Sequence, residues 1–172
     1  MIEQHYFALC LVSCEFNSVT ELKIMGDKLS IQVADFHGLP ISNPTLSDTF
    51  SMDSFVATLS RLPSLKVLAL VSLGIWGPLP DKIHRLSSLE SLDLSSNFLF
   101  GSVPPKVSTM VKLQTLVFDH NFFDGTIPNV FDSLSNLTSL SLKNNRLMGP
   151  FPSSIMRITT LVNLDFYQIS QG

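Results

Sequence analysis

Apolar and polar positions follow one phrase that recurs every 24 residues, opened by Leu65, Leu89, Leu113, Leu137 and Leu161. Read from Leu89, it places Leu92, Leu94, Asn97, Leu99, Gly101, Val103 and Pro104 in order, then apolar Val107 and Met110 before the next copy. The copy from Leu113 carries Leu116, Phe118, Asn121, Phe123, Gly125, Ile127 and Pro128; the copy from Leu137 carries Leu140, Leu142, Asn145, Leu147, Gly149, Phe151 and Pro152. The copy from Leu65 keeps Leu68, Leu70, Ile75, Gly77, Leu79 and Pro80 but has Leu73 where the others have asparagine. A period of this length describes a stack of like units, none of which buries its apolar face alone.

Each copy predicts its own local structure. Two leucines separated by one residue are the period-two signature of a short strand with both leucines on one face, here the inside of the coil. Asn97, Asn121 and Asn145 turn the chain out of the strand, and a buried side-chain amide both donates to and accepts from backbone groups, so a structural asparagine ladder is expected. The glycines that follow fit a bend with little room for a side chain. The prolines set φ and remove a backbone donor on the outer side, which predicts a short, mostly non-helical return arc.

The period fails at both ends. Val19, Leu22, Ile24 and Asp27 mimic the strand of a copy, but Leu65 stands 46 positions beyond Val19, and the interval holds the Gly, Pro, Asn and Ser punctuation of a loop over 28–51. Ser51 to Leu62 then reads as a helix, with Met52, Phe55, Val56, Leu59 and Leu62 on one face and Pro63 as the stop. The predicted organisation is an N-terminal cap remnant or degenerate signal segment over 1–18, an irregular first coil over 19–62 with a helix at 52–62, four regular repeats over 63–160, and a truncated fifth repeat over 161–172. That last copy lacks its asparagine and its second half, which predicts a chain fragment with an open edge strand.

Composition narrows the function. The 172 residues are 45% hydrophobic and 15% charged, with a formal net charge of -3, which describes a packed body without an acidic tail. The absence of a basic, aromatic-interleaved run argues against nucleic acid, and no stretch reaches the ~18 apolar residues of a membrane span. Cys10 and Cys14 suit neither a zinc set nor a redox pair; they read either as a capping disulfide or as two small apolar residues. His5, His37, His84 and His120 share no ligand spacing, so no metal and no cofactor is expected. No glycine-rich nucleotide loop, kinase catalytic motif or nucleophile elbow is present, and the chain is read as non-catalytic.

At these residues the chain resembles the plant-type leucine-rich repeat family, whose signature is the added Gly-x-Ile-Pro half of each coil. More narrowly, the segments "SVTELKIMGDK" and "FSMDSFVATLSRLPSLKVLALVSLGIWGPLPDKIHRLSSLESLDLSSNFL" look like the ectodomain of probable inactive leucine-rich repeat receptor-like kinases. The resemblance implies an α/β-type solenoid, a right-handed superhelix with a parallel sheet on its concave face and a second short strand plus irregular or 3-10 turns on the return side. It also implies a recognition module on the extracellular side of the plasma membrane, tied to the membrane only through segments absent from this chain, with a peptide, a protein or a co-receptor ectodomain as partner.

On such a solenoid the positions flanking the strand leucines form columns on the concave face. Met25, Val67, Ala69, Val71 and Val117 are candidates for an apolar contact patch, and Asp93, Asp119 and His120 for directional hydrogen bonds. Trp76, Phe98, Phe100 and Phe122 cluster after the strand, either packed between coils or exposed for contact. Asn136, in Asn136-Leu137-Thr138, is the candidate glycosylation site of a secreted chain. Two further readings stand beside the receptor module: a secreted inhibitor or defence protein using the same face, and a relative of receptor-like serine/threonine kinases without kinase motifs of its own.

Overall fold

The computed structural model describes residues 9–26 and 50–166. The 28–49 part of the predicted loop, the apolar residues before Leu9, His5, His37, Asp27 and the chain from Tyr167 onward lie outside the described residues.

The repeats build two sheets on one stack of coils. The larger has seven strands in the order β1 (Leu9–Glu15), β2 (Ser18–Met25), β3 (Val67–Val71), β5 (Ser91–Asp93), β7 (Thr115–Val117), β9 (Ser139–Ser141) and β10 (Asn163–Asp165). The smaller has three strands, β4 (Trp76–Pro78), β6 (Phe98–Gly101) and β8 (Phe122–Phe123). Every pairing is parallel except β1 with β2. The 24-residue period is the register itself: Leu68 pairs with Leu92, Leu92 with Leu116, Leu116 with Leu140, and Leu140 with Leu164.

The first three of these leucines and Leu140 are fully buried, together with Leu65, Leu89, Leu113, Leu137, Phe118, Phe123 and Phe131. One continuous core therefore runs through the stack, so each coil supplies the apolar cover that its neighbour needs. The return arcs close through 3-10 turns at Asp81–Arg85, Pro105–Thr109, Phe131–Ser133 and Ile155–Arg157, the first two entered from Pro80 and Pro104 in extended conformation. This is the leucine-rich repeat solenoid that the pattern implied.

Two kinds of glycine hold the arcs. Gly101 has φ +78 with open space around it and is needed for its backbone conformation. Gly125 is needed for space: a Cβ there would lie 2.7 Å from the Cα and from the Cβ of Ser102 in the preceding coil. The expected shortage of room thus holds at Gly125 and not at Gly101.

Helix α1 spans Met52–Leu59, three residues short of the predicted end. Ser51 caps it by accepting from the Ser54 amide at 3.3 Å, and Met52, Val56 and Leu59 are buried. The following amides of Arg61 and Leu62 reach back only three residues, to Thr58 and Leu59. Pro63 disfavours the helical region for the residue before it, which accounts for the tightened ending.

At the other side of the described body, β1 and β2 form a hairpin around Phe16 and Asn17, both left-handed with φ 48 and 62. Two consecutive positive φ values match the twist of a two-residue hairpin turn. The boundary read at 18/19 therefore falls inside a hydrogen-bonded hairpin, whose two strands are one unit.

Candidate functional site

The concave floor is assembled from one residue per coil. Lys23, Ala69, Asp93, Val117, Ser141 and Asp165 stand in register in one column; Glu21, Val67, Ser91, Thr115, Ser139 and Asn163 stand in the next. Met25 pairs with Val71, and the Ser72, Ser96 and His120 amides continue that edge by donating to Ser95, Asp119 and Lys143 carbonyls at 2.9–3.1 Å. The period-two pleat aims these side chains away from the leucine core.

Ion pairs close the two ends of the floor, and Asp93 and Asp119 lie between them. At one end Lys23 Nζ lies 2.8 Å from Glu21 Oε2, and this hydrogen bond chiefly holds the Glu21 carboxyl below its ordinary value, aided by the Lys23 charge and Ser13 and opposed by desolvation. At the other end Lys143 Nζ lies 2.9 Å from Asp165 Oδ2. Asp119 Oδ1 accepts from Ser141 Oγ at 2.6 Å and from the Lys143 amide at 2.8 Å. Between these ends Val67, Val71, Ser91, Thr115 and Val117 make a half-buried strip of apolar and hydroxyl side chains, with the half-buried Asp93 among them.

The candidate residues sort differently from their sequence order. Met25 is exposed, Val67, Val71 and Val117 are half-buried, and Ala69 is buried at 6% between Lys23 and Asp93 of its own column. The apolar patch is therefore a shallow strip along the floor. Asp93 accepts from the Ser95 amide two residues on, at 2.9 Å, and Asp119 is engaged by the next coil, so both carboxylates shape the floor. His120 is exposed with φ +54, and its Nε2 lies 3.1 Å from Asn144 Nδ2. Ser141 and Lys143, the partners of Asp119, were not singled out; the signal was their 22- and 24-residue offset, one coil on.

Behind the floor, the asparagines tie coil to coil. Asn97 Oδ1 accepts from the Leu73 and Ile75 amides at 3.1 and 3.0 Å, and its Nδ2 donates to Leu70 and Leu94 carbonyls at 2.7 and 3.0 Å. Asn121 repeats this with the Leu99 amide and the Leu94 and Phe118 carbonyls, and Asn145 with the Phe123 amide and the Phe118 and Leu142 carbonyls. All three are buried. Leu73 instead packs its side chain against the core.

On the flank, Trp76, Phe98, Phe100 and Phe122 face outward from the small sheet and line an open cavity of about 190 Å³ with Asp124 and Arg146. Trp76 is 61% exposed and meets Phe100 edge-on at 5.4 Å; Phe98 and Phe122 stack at 5.9 Å, with the Arg146 guanidinium 4.9 Å over Phe122. Both readings of the cluster have a part here, since Phe98 and Phe122 are buried and Trp76 is not.

Cys10 and Cys14 are free and exposed on β1. Four residues of strand separate them by roughly 13 Å, beyond the ~7 Å Cα limit of a disulfide. This corrects the capping bridge proposed between them. Among the described residues no three His, Cys, Asp or Glu side chains gather as a metal-binding group, and no helix is long and apolar enough to cross a membrane.

Fold and site define a leucine-rich repeat solenoid with a concave face. The leucine rich repeat family model matches residues 87–147, inside the regular array. A probable inactive leucine-rich repeat receptor-like protein kinase of Arabidopsis thaliana is 48% identical over 73 residues, which are 42% of this chain and 8% of that relative. The match thus spans about a twelfth of the curated relative. Among solved structures, the chain is similar to the ectodomain of the Arabidopsis thaliana membrane receptor kinase GASSHO1/SCHENGEN3 in complex with CASPARIAN STRIP INTEGRITY FACTOR 2, at 32% identity and TM-score 0.59 over 64% of this chain and 13% of that one. It is also similar to a chain of the Arabidopsis thaliana BIR3–SERK2 complex, at 26% identity and TM-score 0.61 over 91% of this chain and 76% of that one.

Proposed function

We propose that this chain is a non-catalytic recognition module that takes an extended peptide or the flank of a co-receptor ectodomain along its concave face. The observation that carries the reading is the strip of Val67, Val71, Ser91, Thr115 and Val117, with Asp93 among them, between two ion-paired ends. Such a strip offers apolar contact, small hydroxyl partners and one carboxylate to accept from a peptide amide, while the charged rims fix orientation. The similarity to receptor-kinase ectodomains in complexes supports the same class of partner.

In this reading the chain faces the cell exterior as part of a receptor-like, catalytically inactive kinase, and Asn136 carries a glycan. The Asn136 side chain is exposed and donates to the Val111 carbonyl at 2.7 Å through one of its two amide hydrogens, which leaves the other for a sugar.

Photo-crosslinking tests the site. Peptides selected from a random display library on the immobilised chain are added to chains carrying a photoreactive residue at Val117 or at Val130, which is exposed outside the floor. Adducts at position 117 and not at 130 support the concave site; the reverse pattern, or no enriched peptide, refutes it.

A further inference from the structure

The exposed edge of the large sheet is β1, and its sequence, Leu-Cys-Leu-Val-Ser-Cys-Glu, places two cysteines symmetrically about Val12. Its partners across the hairpin are Ile24 for Cys10, Leu22 for Val12 and Val19 for Cys14, and those three β2 residues all pack toward the core. The irregularity between Ser13 and Cys14 leaves Thr20 of β2 without an opposite residue, so Cys14 meets Val19. Residues opposite one another in a sheet share a face, so Cys10, Val12 and Cys14 lie on one face of the strand.

Apart from the irregularity at Ser13/Cys14, this edge lacks the usual protections. Leu9, Leu11 and Val12 are 56%, 49% and 54% exposed, the strand holds no Lys or Pro, and its one charge, Glu15, lies at its end. No described strand lies outside β1. An exposed, apolar, uncharged edge is a template for another strand, and a two-fold axis gives the simplest closed pairing.

We propose that β1 pairs antiparallel with β1 of a second copy of this chain about Val12, and that Cys10 of each copy forms a disulfide with Cys14 of the other. With Val12 opposite Val12, every residue meets the one equidistant on the other side: Leu11 meets Ser13, and Cys10 meets Cys14 twice. Opposed Cα atoms of an antiparallel pair stand about 4.5–5.5 Å apart, inside the ~4.4–6.8 Å range of a disulfide. The roughly 13 Å between the two cysteines of one strand excludes the bridge within a chain. A parallel pairing would oppose Cys10 to Cys10, and the head-to-tail spacing of the thiols would serve nothing.

The chemistry is thiol–disulfide exchange with a small-molecule disulfide such as oxidised glutathione. The Cys10 thiolate attacks one sulfur, releasing one small thiolate and leaving a mixed disulfide; the Cys14 thiolate of the second copy then displaces the other. Each bridge consumes one small disulfide and two protein thiols, and yields one protein disulfide and two small thiols.

Complementation tests the geometry. The wild-type chain, Cys10→Ser, Cys14→Ser, and an equal mixture of the two variants are incubated with oxidised glutathione and separated by non-reducing electrophoresis, with one variant isotopically labelled. The expected result is a covalent dimer for the wild type, monomer for each variant alone, and a mixed-label dimer from the mixture. Val12→Lys, with both cysteines intact, should slow wild-type dimer formation at least tenfold by placing like charges opposite one another. Dimer from either single variant, wild type that yields only glutathione adducts or an intrachain bridge, or a mixture that stays monomeric overturns the proposal.

Discussion

Asp119 and Ser141, on successive coils, are joined by a 2.6 Å hydrogen bond across the concave face. The same carboxylate oxygen receives the Lys143 amide at 2.8 Å, so one side chain closes two groups of the following coil. Hydrogen bonds to a charged acceptor contribute about 1.5–3 kcal/mol, and partial exposure places this pair at the low end. Asp119→Ala is expected to cost about 1–2 kcal/mol in chemical denaturation, while Asp119→Asn, which keeps an acceptor, costs less than half of that.

The asparagine ladder is the larger investment of polarity in the core. Removing the Asn121 side-chain amide orphans the buried Leu99 amide, while the Leu94 and Phe118 carbonyls keep the Asn97 and Asn145 donors. At about 1–3 kcal/mol for one unsatisfied buried group, Asn121→Ala should cost about 1–3 kcal/mol. Lys112→Ala, an exposed change outside the ladder, should cost under ~0.5 kcal/mol, as ordinary surface changes do. Equal losses in the two variants would show that the ladder is not what joins the coils.

Gly125→Ala tests close packing without touching charge or hydrogen bonding. The new Cβ meets Ser102 backbone and side chain in the preceding coil, so one arc must move off the other. Overpacking of this kind costs about 1–3 kcal/mol, and the melting temperature should fall accordingly. A variant as stable as the parent would mean that the two arcs slide freely.

Asn136 bears on the cellular face of the account. Expressed through a secretory pathway, the chain should gain mass that glycosidase removes, and Asn136→Gln should abolish that gain. An unmodified secreted chain would count against the exterior assignment of this surface.

These residues also show what the sequence made legible. The register of every parallel strand follows from the 24-residue period, because a stacked coil must place the same position over itself; Leu68, Leu92, Leu116 and Leu140 could be aligned by counting. The columns of the floor followed for the same reason. Counting could not give the depth of each position: Ala69 is buried because its methyl sits between longer neighbours, and Asp119 turns to Ser141 because a coil-to-coil offset brings a hydroxyl within reach. The β1–β2 hairpin was harder to read, since its turn rests on Phe16 and Asn17 in left-handed conformation, without the Asn-Gly pair that marks such turns.

The central claim is that the apolar and hydroxyl strip of the concave face holds the partner, and the affinity of library-selected peptides for Val117→Asp tests it most directly. A charge at the middle of the strip must be desolvated on binding. The account predicts at least a tenfold weaker dissociation constant for Val117→Asp with an unchanged melting temperature, and no change for Val130→Asp on the exposed return side. Equal affinity in Val117→Asp and the parent chain would contradict it.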